Sequence, residues 1–108
     1  MTAFPRLFSP ATLRGKTLRN RIVFGAHTAN MAEDGLPGPR HIGYYAERAI
    51  GGAAMIVVEP MPVHAAAVLT RGNFRHSDDS VIPNFRKVTE AIKGNGAIAI
   101  QQLYHVGQ

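Results

Sequence analysis

Three segments of this chain end in side chains capable of chemistry. Ile22 to Thr28 (IVFGAHT) closes on His27 and Thr28, Met55 to Pro60 (MIVVEP) on Glu59, and Ile98 to Gln108 (IAIQQLYHVGQ) on Gln102 and His105. Each reads as a buried strand that turns polar at its carboxyl end. When such strands run parallel, the loops after those ends converge on one face, which is how an α/β protein builds a ligand site. Glutamine offers a donor and an acceptor on one side chain, threonine a hydroxyl, histidine a group for substrate binding or proton transfer, and Glu59 a possible general base. Plainer readings stand beside these. Gln102 could bond neighbouring backbone, His105 could hold its own loop, His27 could be structural, and Glu59 could sit in a buried ion pair with a basic residue of a neighbouring unit. The five histidines, His27, His41, His64, His76 and His105, show no metal-ligand spacing.

The elements that must position these groups follow from the apolar pattern. Residues 11 to 22 predict a short hairpin turned by Gly15-Lys16, with Leu13 opposite Leu18, suited to plugging one end of a barrel. Arg21 to Phe24 reads as a first strand, and the loop EDGLPGP follows it. A helix is expected over Pro39 to Ile50, with Ile42, Tyr45, Ala46 and Ala49 inward and Gly51-Gly52 stopping it. Tyr45 and Arg48, one turn apart, fit helix anchors better than substrate contacts. Ala54 to Val58 is a second strand, and Met61 to Asp79 a long loop whose part from Arg71 reads as solvated. A second helix should begin near Ser80, behind Asp78 and Asp79, with Ile82, Phe85, Val88, Thr89 and Ile92 on one stripe. Ala97 to Leu103 is the third strand. A (β/α)₈ barrel takes about 250 residues, or roughly 31 per unit, so 108 residues hold an entry hairpin and about three strands. The exposed edge would be apolar on both faces, so the chain is expected to be a fragment or to have a partner that supplies the other strands.

Composition narrows the function classes. With 45% hydrophobic and 18% charged residues, neither disorder nor a membrane span is indicated. The start MTAFPRLFSP lacks a secretory pattern, so a cytoplasmic location is expected. Cysteine is absent, which removes disulfides, zinc thiolates and iron–sulfur ligation from these residues. The net charge of +5 raises nucleic acid as a partner. Five basic residues, Arg6, Arg14, Lys16, Arg19 and Arg21, crowd the N-terminal end, where they read as the wet face of the hairpin; no aromatic interleaving or zinc, RRM or KH pattern supports nucleic-acid binding.

RIVFGAHT, HIGYYAERAIGGAAMIVVE and IQQLYHVG, in that order and one βα unit apart, resemble the N-terminal part of the old yellow enzyme family of FMN-dependent NAD(P)H:flavin oxidoreductases. The likeness begins near Leu7. It is most specific at Tyr45, Arg48 and Ala49 leading into the strand that ends in Glu59, and at Gln102, Leu103, His105 and Gly107. It implies an α/β fold in which residues 1–108 are the N-terminal hairpin and first three or so strands of one incomplete FMN-binding TIM barrel, inactive alone and completed by the remainder of that barrel.

The resemblance also implies roles. Gly25, Ala26, His27 and Thr28 fall where relatives wrap backbone around the flavin. Thr28 matches a threonine, a cysteine in other relatives, that hydrogen-bonds the flavin carbonyl beside the reactive nitrogen. Such a donor would stabilise negative charge on the reduced flavin and raise its potential. Because Thr28 cannot form a thioether, the FMN is expected to be non-covalent. Pro60 falls where a small residue usually borders the isoalloxazine ring, Gln102 where an amide reads the pyrimidine edge, and Asn30 near the substrate pocket. The pattern departs at Gln108, where relatives carry arginine. The His27-Thr28 pair is closer to the long branch of dienoyl-CoA reductases and amine dehydrogenases, whose 4Fe-4S cluster and second nucleotide would belong to a further C-terminal region.

The implied activity is hydride transfer through flavin between NAD(P)H and the activated alkene or enone of a small molecule, in a homo-oligomer with no membrane partner. The His/His or His/Asn pair that holds the substrate carbonyl in relatives would follow a fourth strand. Two alternatives remain open. One is an amine dehydrogenase or N-demethylase, which aromatic residues caging the ammonium would mark. The other is a non-catalytic barrel fragment that needs a partner.

Overall fold

The computed structural model describes residues 3–76 and 78–107. Gln108, the departure from the family pattern, lies outside them. Strands β1 (Ala11–Leu13) and β2 (Lys16–Leu18) form an antiparallel ribbon. Its turn is Arg14-Gly15, with φ of +51° and +78°, and two positive φ values make the type I′ turn that suits strand twist. The turn thus lies one residue earlier than the sequence suggested. Leu13 faces Lys16, and Leu18 faces Ala11. Leu18 is consequently 5% exposed and Leu13 49%. Leu13 borders a hollow with Met55 and Ile98, the first residues of their strands. The hairpin therefore sits at the amino ends of the parallel sheet, where a plug belongs.

That sheet runs β3 (Val23–Phe24), β4 (Met55–Pro62), β5 (Ile98–Tyr104), all parallel. The first strand is shorter than Arg21–Phe24, because Asn20 and Arg21 are engaged elsewhere. Asn20 donates to the Gly52 carbonyl at 2.7 Å and accepts from the Ile22 amide at 2.9 Å, while Arg21 donates to Ser9 Oγ and the Pro10 carbonyl. Nor is Arg19 simply a wet hairpin residue. Its guanidinium donates to the carbonyls of Ala49, Ala53 (2.8 Å) and Asn95 (3.0 Å). A cation on these carbonyls satisfies acceptors left over at two helix ends and complements both dipoles.

Helix α1 (Pro39–Ile50) starts with proline in its first turn and buries His41, Tyr45 and Ala49, one residue per turn. Ile42 and Ala46 flank that row, half-buried. Gly52, at φ +115°, turns the chain into β4, a backbone state that only glycine adopts readily. Helix α2 (Ile82–Gly94) follows a 3₁₀ turn, Asp79–Val81, which Asp78 caps by accepting from the Ser80 amide at 2.9 Å. That bond lowers the Asp78 pKa. Val88 and Ile92 carry the buried stripe of α2.

The core joins Tyr45, Ala49, Ile56, Val58, Val88 and Ile92 with Phe74. Phe74 comes from the stretch expected to be a solvated loop. Its ring meets Phe85 edge-on at 4.8 Å, and its burial is worth about 2 kcal/mol. Asn73 beside it is buried too, its Oδ1 accepting from the amides of Leu69 and Thr70. Among the described residues no strand pairs with the outer side of β5. Leu103 is 65% exposed there, and Met61, Ile82, Phe85 and Gln101 line an open apolar groove next to it. Ile82, expected inside, is thus exposed, as an unpaired barrel edge requires. No helix among the described residues is long and apolar enough to cross a membrane.

Candidate functional site at the carboxyl ends of the strands

Parallel pairing brings the ends of β3, β4 and β5 together, as the polar strand ends required. Beyond β3, Gly25, His27 and Thr28 are exposed and Ala26 half-buried. Beyond the middle of β4 the ladder shifts. Val58 pairs with Gln101, but Met61 pairs with Leu103. One extra residue in β4 is a bulge, and it turns two successive side chains, Val58 and Glu59, into the interior. Pro60 follows, half-buried. On β5, which carries no extra residue, alternation sends Gln101 and Gln102 to opposite faces. Gln101 donates to the Glu59 carbonyl at 2.7 Å, whereas Gln102 is exposed on the other face.

Glu59 is 2% exposed and ties these segments together. Its Oε2 accepts from the Ala29 amide at 3.1 Å and its Oε1 from the Tyr45 hydroxyl at 2.8 Å. The same hydroxyl accepts from the Glu59 amide at 2.9 Å. Burial and the neighbouring carboxylate push the Tyr45 pKa up, so the phenol stays a donor. The sequence suggested a basic partner for Glu59. Among the described residues, the basic side chain beside it is His41, with Nε2 3.7 Å from Oε1, too far for a hydrogen bond. Its Nδ1 accepts from the Gly38 amide at 3.1 Å, which puts the proton of the neutral ring on Nε2, buried and unpartnered. Burial lowers its pKa, Glu59 opposes that, and Arg40 reinforces it. Neutral dipoles rather than a cation therefore hold the carboxylate.

A pH dependence follows from His41. An imidazole kept neutral in the fold but free to protonate when unfolded, below about 6.5, makes the unfolded state bind more protons, so stability falls as pH drops below that value. The slope from this one group is at most about 1.4 kcal/mol per pH unit. Chemical denaturation between pH 5 and 7.5 should show a shallower acid slope in His41→Gln than in the wild type; equal slopes would remove His41 from the account.

Asn30 has a positive φ of 58°, and its Oδ1 accepts from the Thr70 hydroxyl. Next to it, the Ala32 amide donates to the Gly72 carbonyl at 3.3 Å. The loop after β3 is thereby docked on the loop after β4. Arg48 lies 3.5 Å over the Tyr44 ring and 5.1 Å from that of Phe24, so with Tyr45 it anchors α1, as its spacing suggested. His105 Nδ1 accepts from the Gly107 amide at 2.8 Å, the loop-holding role foreseen for it. Its ring lies 5.8 Å from His64, which in turn lies 6.5 Å from His76. Among the described residues no group of three or more His, Asp or Glu could hold a metal ion. The parts that sequence reasoning missed are the bulge at Glu59, the Ala29 contact and the buried Asn73-Phe74 pair. An apolar phenylalanine within a polar run was the one available signal.

A hairpin followed by parallel βα units, with the polar strand ends on one face, is the opening of a (β/α)₈ barrel. Residues 6–108 match the NADH:flavin oxidoreductase / NADH oxidase family, and the chain belongs to it. It is 36% identical over 110 residues to an NADH oxidase of Thermoanaerobacter brockii, covering all of this chain and 17% of that protein. It is 37% identical over 107 residues to a probable N-methylproline demethylase of Rhizobium meliloti, covering 94% of this chain and 15% of that one. The fold superposes on 2-naphthoyl-CoA reductase in complex with 2-naphthoyl-CoA with a TM-score of 0.93 and 27% identity, over 97% of this chain and 16% of the other. The chain thus spans less than a fifth of each of these proteins. It forms the N-terminal hairpin and first three strands of the barrel.

Proposed function

We propose that this chain supplies one wall of the FMN site of an oxidoreductase, and that the completed barrel transfers hydride between NAD(P)H and a small-molecule substrate through that flavin. The observation that carries this reading is the placement of Thr28, Pro60 and Gln102 at the carboxyl ends of three adjacent parallel strands, with Thr28 and Gln102 exposed. The donor set fits the group. The Gln102 amide offers the donor and acceptor that a pyrimidine edge needs, and it is exposed on the face opposite Gln101. The Thr28 hydroxyl would donate to the flavin carbonyl beside the reactive nitrogen, and the backbone of Gly25, Ala26, His27 and Pro60 would border the ring. Bound FMN supplies hydride acceptance and donation. Thr28 would favour negative charge on the reduced ring, and Asn30 and His27 would face the substrate side. With threonine at position 28 the flavin is held without a covalent bond.

The substrate we favour is an activated alkene or enone. N-demethylation is the second reading, and the 37% identity to a probable N-methylproline demethylase supports it. Both of the relatives above are several times longer than this chain, which fits the long branch, with a 4Fe-4S cluster and a second nucleotide in its C-terminal region. The purified complete barrel should show a flavin band that leaves with the protein's denaturation. A colourless protein that stays colourless after FMN reconstitution would exclude the reading. Thr28→Ala should lower the flavin potential and slow its reduction about tenfold, the effect of losing one hydrogen bond worth about 1.4 kcal/mol. An unchanged potential would remove the role given to that hydroxyl.

A further inference from the structure

The three segments assigned to the flavin share a feature beyond their placement. Each contact lies next to Glu59 itself or to a residue that bonds it. Ala29, next to Thr28, donates its amide to Glu59 Oε2 at 3.1 Å. Gln101, next to Gln102, donates its side chain to the Glu59 carbonyl at 2.7 Å. Pro60 is covalently next to Glu59. The bulge that inserts one residue between Val58 and Met61 is what points this side chain inward.

We infer that Glu59 is the positioning residue of the flavin site: its buried carboxylate and carbonyl hold the ends of β3, β4 and β5 in register, so that Thr28, Pro60 and Gln102 meet one planar ring. The segment from Gly25 to Met31 lies outside any regular element, and a site on such backbone is held only by its supporting bonds. The Ala29 amide would otherwise be a half-buried donor without a partner, free to rotate Thr28 away. A carboxylate suits this task because both oxygens accept, one for the loop and one for helix α1 through Tyr45. Glu59 touches neither ring nor substrate, and its effect runs through Ala29 and Gln101.

The inference rests on the flavin reading, so its test separates the two in the complete barrel. Wild-type protein that binds no FMN would sink the flavin reading alone. Independently, amide hydrogen exchange of the apoprotein should show Ala29 losing at least tenfold protection in Glu59→Ala and keeping it in Glu59→Gln, whose Oε1 can still accept. The FMN dissociation constant, read by fluorescence quenching, should rise at least tenfold in Glu59→Ala and stay within threefold in Glu59→Gln. Tyr45→Phe is the control for lost stability. It breaks the tie to α1 and leaves the Ala29 bond, so it should leave FMN binding within threefold. If Tyr45→Phe and Glu59→Ala weaken FMN equally, or if Ala29 exchange is the same in all variants, Glu59 is merely structural and the inference is overturned.

Discussion

Tyr45→Phe is expected to destabilise the barrel by about 3 kcal/mol, a large loss for one oxygen atom. The Tyr45 side chain is fully buried, and its hydroxyl works in both directions, donating to Glu59 Oε1 at 2.8 Å and accepting from the Glu59 amide at 2.9 Å. Phenylalanine keeps the ring and its packing on Tyr44, 5.1 Å away. What changes is polar satisfaction. One buried amide loses its acceptor and one carboxylate oxygen loses its donor, each costing about 1–3 kcal/mol. The neighbouring His41 cannot substitute, since its Nε2 stands 3.7 Å from the same oxygen. Tyr44→Phe is the internal comparison, because Tyr44 is half-buried and packs through its ring on Arg48; it should change stability by no more than about 0.5 kcal/mol. Denaturant unfolding of the two variants decides. Equal, small losses would mean that the Glu59 knot contributes little to folding.

Gly72→Ala should cost about 2–3 kcal/mol by a different route, overpacking. A Cβ built on Gly72 would lie 2.2 Å from Asn30 Oδ1 and 2.5 Å from the Asn30 carbonyl carbon. The first clash involves a short side chain already bonded to Thr70, and the second involves backbone, so neither is relieved by a rotamer change. The two loops must part. The one that moves carries Ala29 and Thr28, so flavin affinity should weaken along with stability, unlike in Tyr45→Phe. The double variant Gly72→Ala with Asn30→Gly removes the side-chain clash and leaves the backbone one. It should recover part of the loss, with a coupling of about 1 kcal/mol, as contacting residues show. Full additivity in unfolding measurements would mean that the loops do not meet as described.

Much of the architecture was legible because it is written in local periods. Helix α1 follows from an apolar residue at each turn, a proline at its start and two glycines at its end. The strands follow from short apolar runs that turn polar, and the strand-end grouping of Thr28, Pro60 and Gln102 follows from their being parallel. The face presented by Gln102 depends only on two-residue alternation in an unbulged strand. What misled were features in which a residue's partner lies far along the chain. Arg19 looked like one more wet hairpin charge, yet it closes the ends of two helices around residues 49 and 95. Asn73 and Phe74 sit in a polar run whose composition says loop, and the loop is folded inward onto α1 and α2. The hairpin turn moved by one residue because Arg14 can take a positive φ beside Gly15, a choice that sequence preference alone leaves open.

Glu59 shows the division most clearly. By itself the sequence determined that a carboxylate would stand at the end of a buried strand, among residues matching a flavin-binding family. Only the tertiary structure decided what that carboxylate does. A one-residue bulge turned it away from the open face and toward Tyr45 and Ala29, and no local period encodes a bulge, since its energy is set by the hydrogen bonds that the turned side chain finds on other elements.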